Sequence, residues 1–429
     1  MPRLTRYLLI AITSAFVLLI IIKSIGLTKR NGGTDLRCRV VGTRLLATEH
    51  SPYFHKWTPA DGEYLLDPND KGVRMVNGNV VTPATMYLTY PLYTLPYAVV
   101  RPLWTALQFL ACVAILFLLL WKQPHSATRI TALIIINGLV CSATWLAGIE
   151  RGQMYIFYAL LFAIMYRLYV SKLKYNEWLS GFVGGLFMFL RPFAGIIGVG
   201  FLLHGKKRWV FGCITGFIVG LCLFVLPRPA LWTEYFNAMR EYTNESEGHG
   251  HFNQNAINYS HPDTIEGMTT LEKYENIPAG GLAAFYGYLW NFGIHATSSH
   301  LTVAYGIVLI ILAFLFYRQR KIYSGPLPLF LFGFMCYVLA ELFTVAPRAS
   351  YNGMQWIFPL TLICLYAGSI VPVLIALITG LLLLHMFPVQ FNYQGPIAEL
   401  TFLALSFIVI FFQRSLKKMQ YGHSGTGQL

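Results

Sequence analysis

Runs of about 20 predominantly apolar residues recur along the whole of this chain, and each is long enough to carry a helix across a bilayer. The first covers Tyr7 to Leu27, and the rest follow with mostly short polar connections between them. Hydrocarbon offers no partner to a free N–H or C=O, so repeated runs of this kind fold as helices. The expected fold is all-α, a polytopic transmembrane bundle. With 56% of its 429 residues hydrophobic and 12% charged, the chain carries more apolar surface than a soluble domain needs. The first run has the charge pattern of a secretory leader, because Arg3 and Arg6 precede it. No small-residue cleavage site follows Leu27, so it reads as a retained signal anchor.

A net charge of +14 raises the question of nucleic acid. The basic residues answer it by their placement, since they gather between apolar runs: Arg3/Arg6, Lys122/Arg129, Arg167/Lys172/Lys174, Lys206/Lys207/Arg208, Arg318/Arg320/Lys321 and Arg414/Lys417/Lys418. If intervening runs pair as hairpins these clusters share one side, which the positive-inside bias makes cytoplasmic. Membrane lipids are the expected partners, and nucleic acid is not. Spans are expected near 7–27, 97–120, 130–149, 154–170, 179–190, 193–204, 209–226, 301–317, 326–345, 354–368, 370–387 and 397–413, about twelve in all with both termini inside. The pair 179–190 and 193–204 is the unusual part. A single helix from Trp178 to Gly205 would place Lys206, Lys207 and Arg208 outside, so two half-spans turning at Arg191-Pro192 are expected. Six of the seven cysteines lie in apolar runs and only Cys38 in a loop, which leaves no disulfide framework.

The chain reads as one integral membrane domain, 1–429, with two long external loops, 28–96 and 227–300, where function is expected. In the first loop Leu36, Val40, Thr43 and Leu46/Ala47 recur at helical spacing, which predicts an amphipathic helix lying along the membrane. Asp35 stands at or near its N-terminus. A carboxylate at a membrane boundary is a functional candidate, and a helix cap is the competing role. The loop continues through Ser51-Pro52-Tyr53, Tyr87, Tyr90-Pro91 and Tyr93, where tyrosines also suit the interfacial aromatic belt. In the second loop Asn253, Gln254 and Asn255 offer amides to sugar hydroxyls or phosphate oxygens, or simply build a turn. His249, His251 and His261 near Glu245 and Glu247 lack metal-ligand spacing, so neither a metal nor a cofactor is expected. Glu341, near an outer helix end, suits a second site carboxylate or a water-filled cavity. A Walker loop and a dinucleotide fingerprint are both absent, which argues against a nucleotide-sugar donor.

Asp35-Leu36, an amphipathic segment ending at Ser51-Pro52-Tyr53, and Tyr90-Pro91 before the second span follow one another in an order that resembles the GT-C superfamily of polytopic glycosyltransferases. The resemblance is greatest to family 87, whose members depend on polyprenyl-phosphate sugars. Gly152-Gln153 opening the fourth span, Leu190-Arg191-Pro192 between the half-spans and Asn253-Gln254-Asn255 extend it, while the C-terminal third carries no matching motif.

The resemblance implies inverting transfer of one sugar, mannose or a related one, from a polyprenyl-phosphate donor to a lipid or glycan acceptor of the cell envelope. The site would face the outside of a bacterial inner membrane. Such a transfer needs one base, because the phosphate leaves as an anion without a proton. Asp35 matches the family's first-loop acid and is the implied catalytic base. The departing phosphate needs fixed positive charge, for which Arg191 comes first and Arg37, Arg151 and Arg348 follow. An arginine at membrane depth costs a few kcal/mol unless it meets an anion, snorkels to water or pairs with an acid such as Glu150. For Arg37 and Arg39 the competing role is attraction to lipid headgroups. Gln153, Asn253, Gln254, Asn255 and Glu341 are the expected substrate-binding residues. The alternative function is a secondary transporter or a flippase for lipid-linked glycans, against which stand two loops of about 70 residues and no symmetry between halves.

Overall fold

The computed structural model of the chain describes residues 18–26, 33–69, 79–120, 142–246, 285–320, 325–345, 350–367 and 394–412, with shorter pieces that include Arg348. Helix α1 (Thr34–Ala47) and the short α2 (Pro83–Thr89) precede α3 (Tyr97–Leu120), and α4 (Ala143–Arg151), α5 (Tyr155–Tyr169) and α6 (Asn176–Leu190) follow. A 3₁₀ segment, Pro192–Ile197, leads into α7 (Gly198–Leu203), then α8 (Lys207–Gly220) and α9 (Pro229–Ser246). The remainder comprises α10 (Phe285–Asn291), α11 (Ser298–Arg318), α12 (Pro326–Leu342), a 3₁₀ segment Ser350–Trp356, α13 (Ile357–Ala367) and α14 (Gln394–Phe411). One two-residue antiparallel pairing joins Met75 to Tyr259 and Val76 to Asn258. All other regular structure among the described residues is helical.

Three stretches are long and apolar enough to cross a bilayer: Tyr97–Leu120, Lys207–Val225 and Ser298–Arg318. Tyr155–Tyr169, Pro192–Leu203, Pro326–Leu342 and Ala398–Phe411 are apolar but shorter. Of about twelve expected spans, three therefore reach full length among the described residues, and the runs 7–27, 130–149 and 370–387 fall wholly or partly outside them. On α11 the exposed side chains Val303, Ile307, Ile310 and Phe314 form one stripe at helical spacing. Such a stripe is costly in water and at ease against lipid tails.

The break at Arg191-Pro192 falls where the charge argument put it. Proline ends α6, and the chain turns back through the 3₁₀ segment and α7 before α8 begins. Gly212 packs on Trp178, Gly216 on Phe182 and Gly220 on Phe189, so α6 and α8 run in the same direction. Residues 192–206 must then cover the length of α6 in reverse. They can do so because a 3₁₀ turn rises about 2.0 Å per residue against about 1.5 Å in an α-helix. Lys174, Lys207 and Arg208 consequently meet at one end of the bundle, and Arg191 lies at the other. Backbone contact holds the pair together: a Cβ on Gly181 would stand 2.0 Å from the Trp209 carbonyl oxygen. Small residues four apart on both helices permit that approach.

The core is largely aromatic. Phe162 of α5 has Phe187, Phe334, Tyr337 and Phe358 with ring centroids 5.0 to 5.5 Å away, which ties α5, α6, α12 and α13 together. Above it sits α1, where the structure departs from the expected surface-lying amphipathic helix. Leu36, Arg37, Arg39, Val40, Val41, Thr43, Arg44 and Leu45 are all buried, so protein surrounds most of the helix. Its arginines are used internally, as bridges to neighbouring segments, and not as contacts to lipid headgroups.

Candidate active site

Helix α4 ends in a Schellman turn. Gly152 takes a left-handed conformation (φ 72°), its N–H reaches the Ile149 carbonyl at 3.1 Å, and the Gln153 N–H reaches the Gly148 carbonyl at 2.9 Å. No larger residue fits, since a Cβ on Gly152 would lie 2.6 Å from the Leu36 Cβ. The turn leaves the Gly152 carbonyl pointing at α1 and α3, where Arg39 Nη1 and Trp104 Nε1 donate to it at 2.7 and 3.0 Å. Gln108 Nε2 donates to the Gln153 carbonyl at 2.9 Å, and Arg101 Nη2 to the carbonyls of Ile149 and Glu150 at 2.8 and 2.7 Å. Five carbonyls at the end of α4 are thus satisfied, and the Gly152-Gln153 turn is locked in place.

The lock decides which way the Gln153 amide faces. Arg39 Nη2 can only donate, so the amide oxygen 3.0 Å from it is Oε1, and Nε2 faces away. There it donates to Asp35 Oδ2 at 2.6 Å. Asp35 does not cap its helix by side chain: Gly33 is the N-cap residue, in a left-handed conformation and without a side-chain bond. The carboxylate sits in the first turn of α1 with 27% of its side chain exposed, and Arg151 Nη1 lies 3.5 Å from the same Oδ2. Half the Arg151 side chain is exposed, so this pair is worth at most about 1 kcal/mol and is easily opened. Oδ1 accepts no hydrogen bond from any described residue.

Around the carboxylate the protein is closed to other nucleophiles. Burial, with Asp35 as the second cause, pushes the Cys38 thiol up to about 12, which keeps it an inert neutral group. Tyr351, on the 3₁₀ segment after α12, is likewise held neutral: burial and then Asp35 raise it above the ordinary phenol range, against Arg151, Arg39 and Arg191. Its ring lies 5.6 Å from the Arg151 guanidinium carbon and 5.8 Å from the Tyr155 ring.

Arg191, at the break after α6, closes the far side. Nε and Nη2 donate to Glu341 Oε1 at 3.0 and 2.5 Å, Nη2 also lies 3.4 Å from the Tyr155 hydroxyl, and the guanidinium carbon is 5.5 Å from the Tyr155 ring. The acid partner is therefore Glu341 and not the Glu150 considered from sequence. Glu341 is itself buried and fully engaged, accepting from Tyr337 at 2.8 Å, Gln355 at 2.9 Å and Arg348 at 3.2 Å. Arg348 in turn makes a fork to Glu399 at 2.5 and 2.9 Å, and Trp356 Nε1 donates to Glu399 Oε1 at 2.9 Å. Two arginines and two carboxylates balance in charge, which is how ionised groups survive at such depth.

The structure thus brings Asp35, Gln153, Arg151, Arg191 and Glu341 to one end of the bundle. Arg348 joins them only as a buried partner of Glu341 and Glu399, with 3% of its side chain exposed. Arg37 is turned aside, its Nε 2.8 Å from Asp67 Oδ1 and its side chain 10% exposed. Neither presents a surface to an anion, whereas Arg151 and Arg191, at 50% and 27%, both do. Asn253, Gln254 and Asn255 lie outside the described residues, as do His249, His251 and His261. Sequence reasoning gave Arg39 to lipid headgroups and passed over Tyr155, Tyr351, Gln355 and Glu399, which carry no motif. Only the joint occurrence of Gly152 and Gln153 hinted that something must hold that turn.

The sequence model of glycosyltransferase family 87 matches residues 81–347, well over half the chain. The chain belongs to glycosyltransferase family 87. No curated protein and no solved structure matches it. Membership makes this a membrane glycosyltransferase, and takes the weight off a transporter or flippase reading. The matched region contains Arg151, Gln153, Arg191 and Glu341 but ends before Arg348 and begins after Asp35.

Proposed function

We propose that this family 87 member transfers one sugar, with inversion, from a polyprenyl-phosphate donor to a lipid or glycan acceptor at the external face of the membrane, with Asp35 as the general base. The observation that carries the reading is the state of the Asp35 carboxylate. One oxygen is fixed by Gln153, the other accepts no hydrogen bond from a described residue, and the group is a quarter exposed beside Arg151. In the transfer Oδ1 takes the proton of the acceptor hydroxyl as that oxygen bonds to the anomeric carbon. The bond from that carbon to the phosphate oxygen breaks, and its electron pair leaves with the polyprenyl phosphate.

Arg151 and Arg191 flank the Tyr351 and Tyr155 rings and are the groups this reading gives to the phosphate. Their present carboxylate partners stand in for it in charge. The weak Arg151 pair opens readily, while Arg191 can turn only part of its fork outward without stranding Glu341. Arg37 and Arg348 are not needed as phosphate ligands. Gln153 holds the base, and Asn253, Gln254 and Asn255 keep their proposed role toward the sugar. An acceptor at the membrane surface suits a donor whose lipid tail never leaves the bilayer.

Membranes from cells with and without the chain, supplied with radiolabelled polyprenyl-phosphate mannose or with a nucleotide sugar, test the reading. The expected product is a labelled envelope lipid or glycan formed from the polyprenyl donor only when the chain is present. Labelling from the nucleotide sugar alone would overturn the donor assignment.

A further inference from the structure

Thr48, His50, His55, Thr58 and Asp61 come together just beyond the C-terminal end of α1, away from the transfer chemistry. His55 Nε2 lies 3.1 Å from Asp61 Oδ2 and His50 Nε2 lies 3.8 Å from Asp61 Oδ1. The two imidazoles meet edge to face with centroids 4.3 Å apart. We propose that His50, His55 and Asp61 form a binding site for a divalent transition metal, zinc by preference, that clips the loop after α1.

Hydrogen bonds to Thr48 and Thr58 orient His50 and Asp61 as ligands, and His55 is placed by its contact with Asp61. Thr48 Oγ1 gives its hydrogen to the Arg44 or Leu45 carbonyl, at 3.0 or 3.2 Å, so toward His50 Nδ1 at 3.0 Å it can only accept. Nδ1 therefore carries a proton, which leaves Nε2, 3.8 Å from Asp61 Oδ1, as the ring atom a metal would take. A positive centre between that nitrogen and the carboxylate would be held by both. A metal supplies one, and the Thr48–His50 bond is the outer contact that metal-bound histidines ordinarily make. Asp61 is oriented in the same way, since the Thr58 N–H and hydroxyl donate to its Oδ2 at 2.6 and 3.0 Å.

Distances fit a small ion with nitrogen and oxygen ligands. One donor atom from each of the three residues lies within 4.8 Å of the other two, whereas tetrahedral zinc with bonds of about 2.1 Å separates its ligands by about 3.4 Å, so the widest gap closes by at most about 1.4 Å. All three groups are partly buried, which leaves room for water as a fourth ligand. Two nitrogens and one carboxylate favour zinc over magnesium or calcium, which prefer oxygen alone. The loop is otherwise held by Trp57, which packs with Val41 and Leu45 of α1 and donates to the Gly62 carbonyl at 2.8 Å. A metal here would clip the loop onto itself just beyond the helix that carries Asp35 at its other end.

Tag-free full-length protein, stripped with chelator and purified in detergent, is titrated with Zn²⁺ and with Co²⁺. The expected result is one equivalent bound, visible absorption of tetrahedral Co²⁺, and a rise in melting temperature that Mg²⁺ does not produce. Asp61→Asn and His55→Ala should lose the equivalent. Thr48→Val, which keeps all three ligands, should weaken affinity about 10–100-fold. A variant that misfolds leaves the parent's own titration and cobalt spectrum to decide. Absence of a stoichiometric site in the parent, or its persistence in both ligand variants, would overturn the proposal and leave an ordinary hydrogen-bonded turn.

Discussion

Arg191 donates twice, from Nε and from Nη2, to the same oxygen of Glu341, although 150 positions separate them in the chain. That bond joins the break after α6 to the end of α12, and through Arg348 and Glu399 it reaches α14. Under the proposed function Arg191 serves both stability and phosphate binding, and the two can be separated by choice of substitution.

Glu341→Gln removes the charge that two arginines face. Breaking a buried pair from one side costs about 3–5 kcal/mol, because the partner stays buried with its charge uncompensated. The expected outcome is a large loss in resistance to thermal or denaturant unfolding of the purified protein. An unfolding midpoint equal to the parent's would show that Glu341 is not the anchor of this network.

Arg151→Ala acts on an exposed pair, so it should change stability by no more than about 1 kcal/mol. Donor binding should nonetheless weaken. Arg191→Lys should weaken it as well, since an ammonium cannot make the two parallel bonds of a guanidinium to phosphate, and Arg191→Gln should do so further. Binding of a polyprenyl phosphate to each variant is the readout. Parent-like affinity in all three would remove the phosphate from this cleft.

Gln153→Ala frees Asp35 Oδ2 and leaves Arg39 without its side-chain acceptor. A base displaced by about 1 Å can lose up to about 10²-fold in rate, so kcat should fall while KM for the donor stays near the parent value. Gly152→Ala should do the same with a stability cost added. A left-handed residue with a Cβ costs about 1–2 kcal/mol before the contact with Leu36 is counted. Steady-state kinetics and melting curves of both variants check these outcomes.

The cytoplasmic end of α6 and α8 and the loop after α1 should label from opposite sides of the membrane. In a background without the seven native cysteines, cysteines at Lys174 and Lys207 should react from the cytoplasmic side and one at Thr58 from the external side. Reaction of position 207 from outside would reverse the orientation inferred from the basic clusters.

The parts legible from sequence were those carried by local rules. Arg191-Pro192 announced a break because proline cannot continue a helix, and Lys206 to Arg208 required the chain to return before α8. Helix α1 was visible in the spacing of its apolar residues, but its burial was not. Arg37, Arg39 and Arg44 look like a solvated or lipid-facing row until Asp67, Gln153 and the Tyr64 carbonyl are seen opposite them. The partner of Arg191 was illegible for the same reason. Glu341 is brought to it by helix packing, and no spacing in the chain encodes that distance. The histidine pair shows the converse, since His249 and His251 drew attention by adjacency, while His50, His55 and Asp61 are gathered by turns.

The claim on which the account turns is that Asp35 is the base, and Asp35→Asn tests it most directly. Asparagine keeps the size and can still accept from Gln153, but an amide cannot take the acceptor's proton. Removing a general base commonly costs 10²–10⁴-fold, or about 3–5 kcal/mol of barrier. Sugar transfer from a polyprenyl-phosphate donor is measured for purified parent and variant, with donor binding and melting temperature alongside. The expected result is a loss of at least about 10²-fold with binding and melting temperature near the parent's; transfer at the parent rate by Asp35→Asn would contradict the role of Asp35 as base.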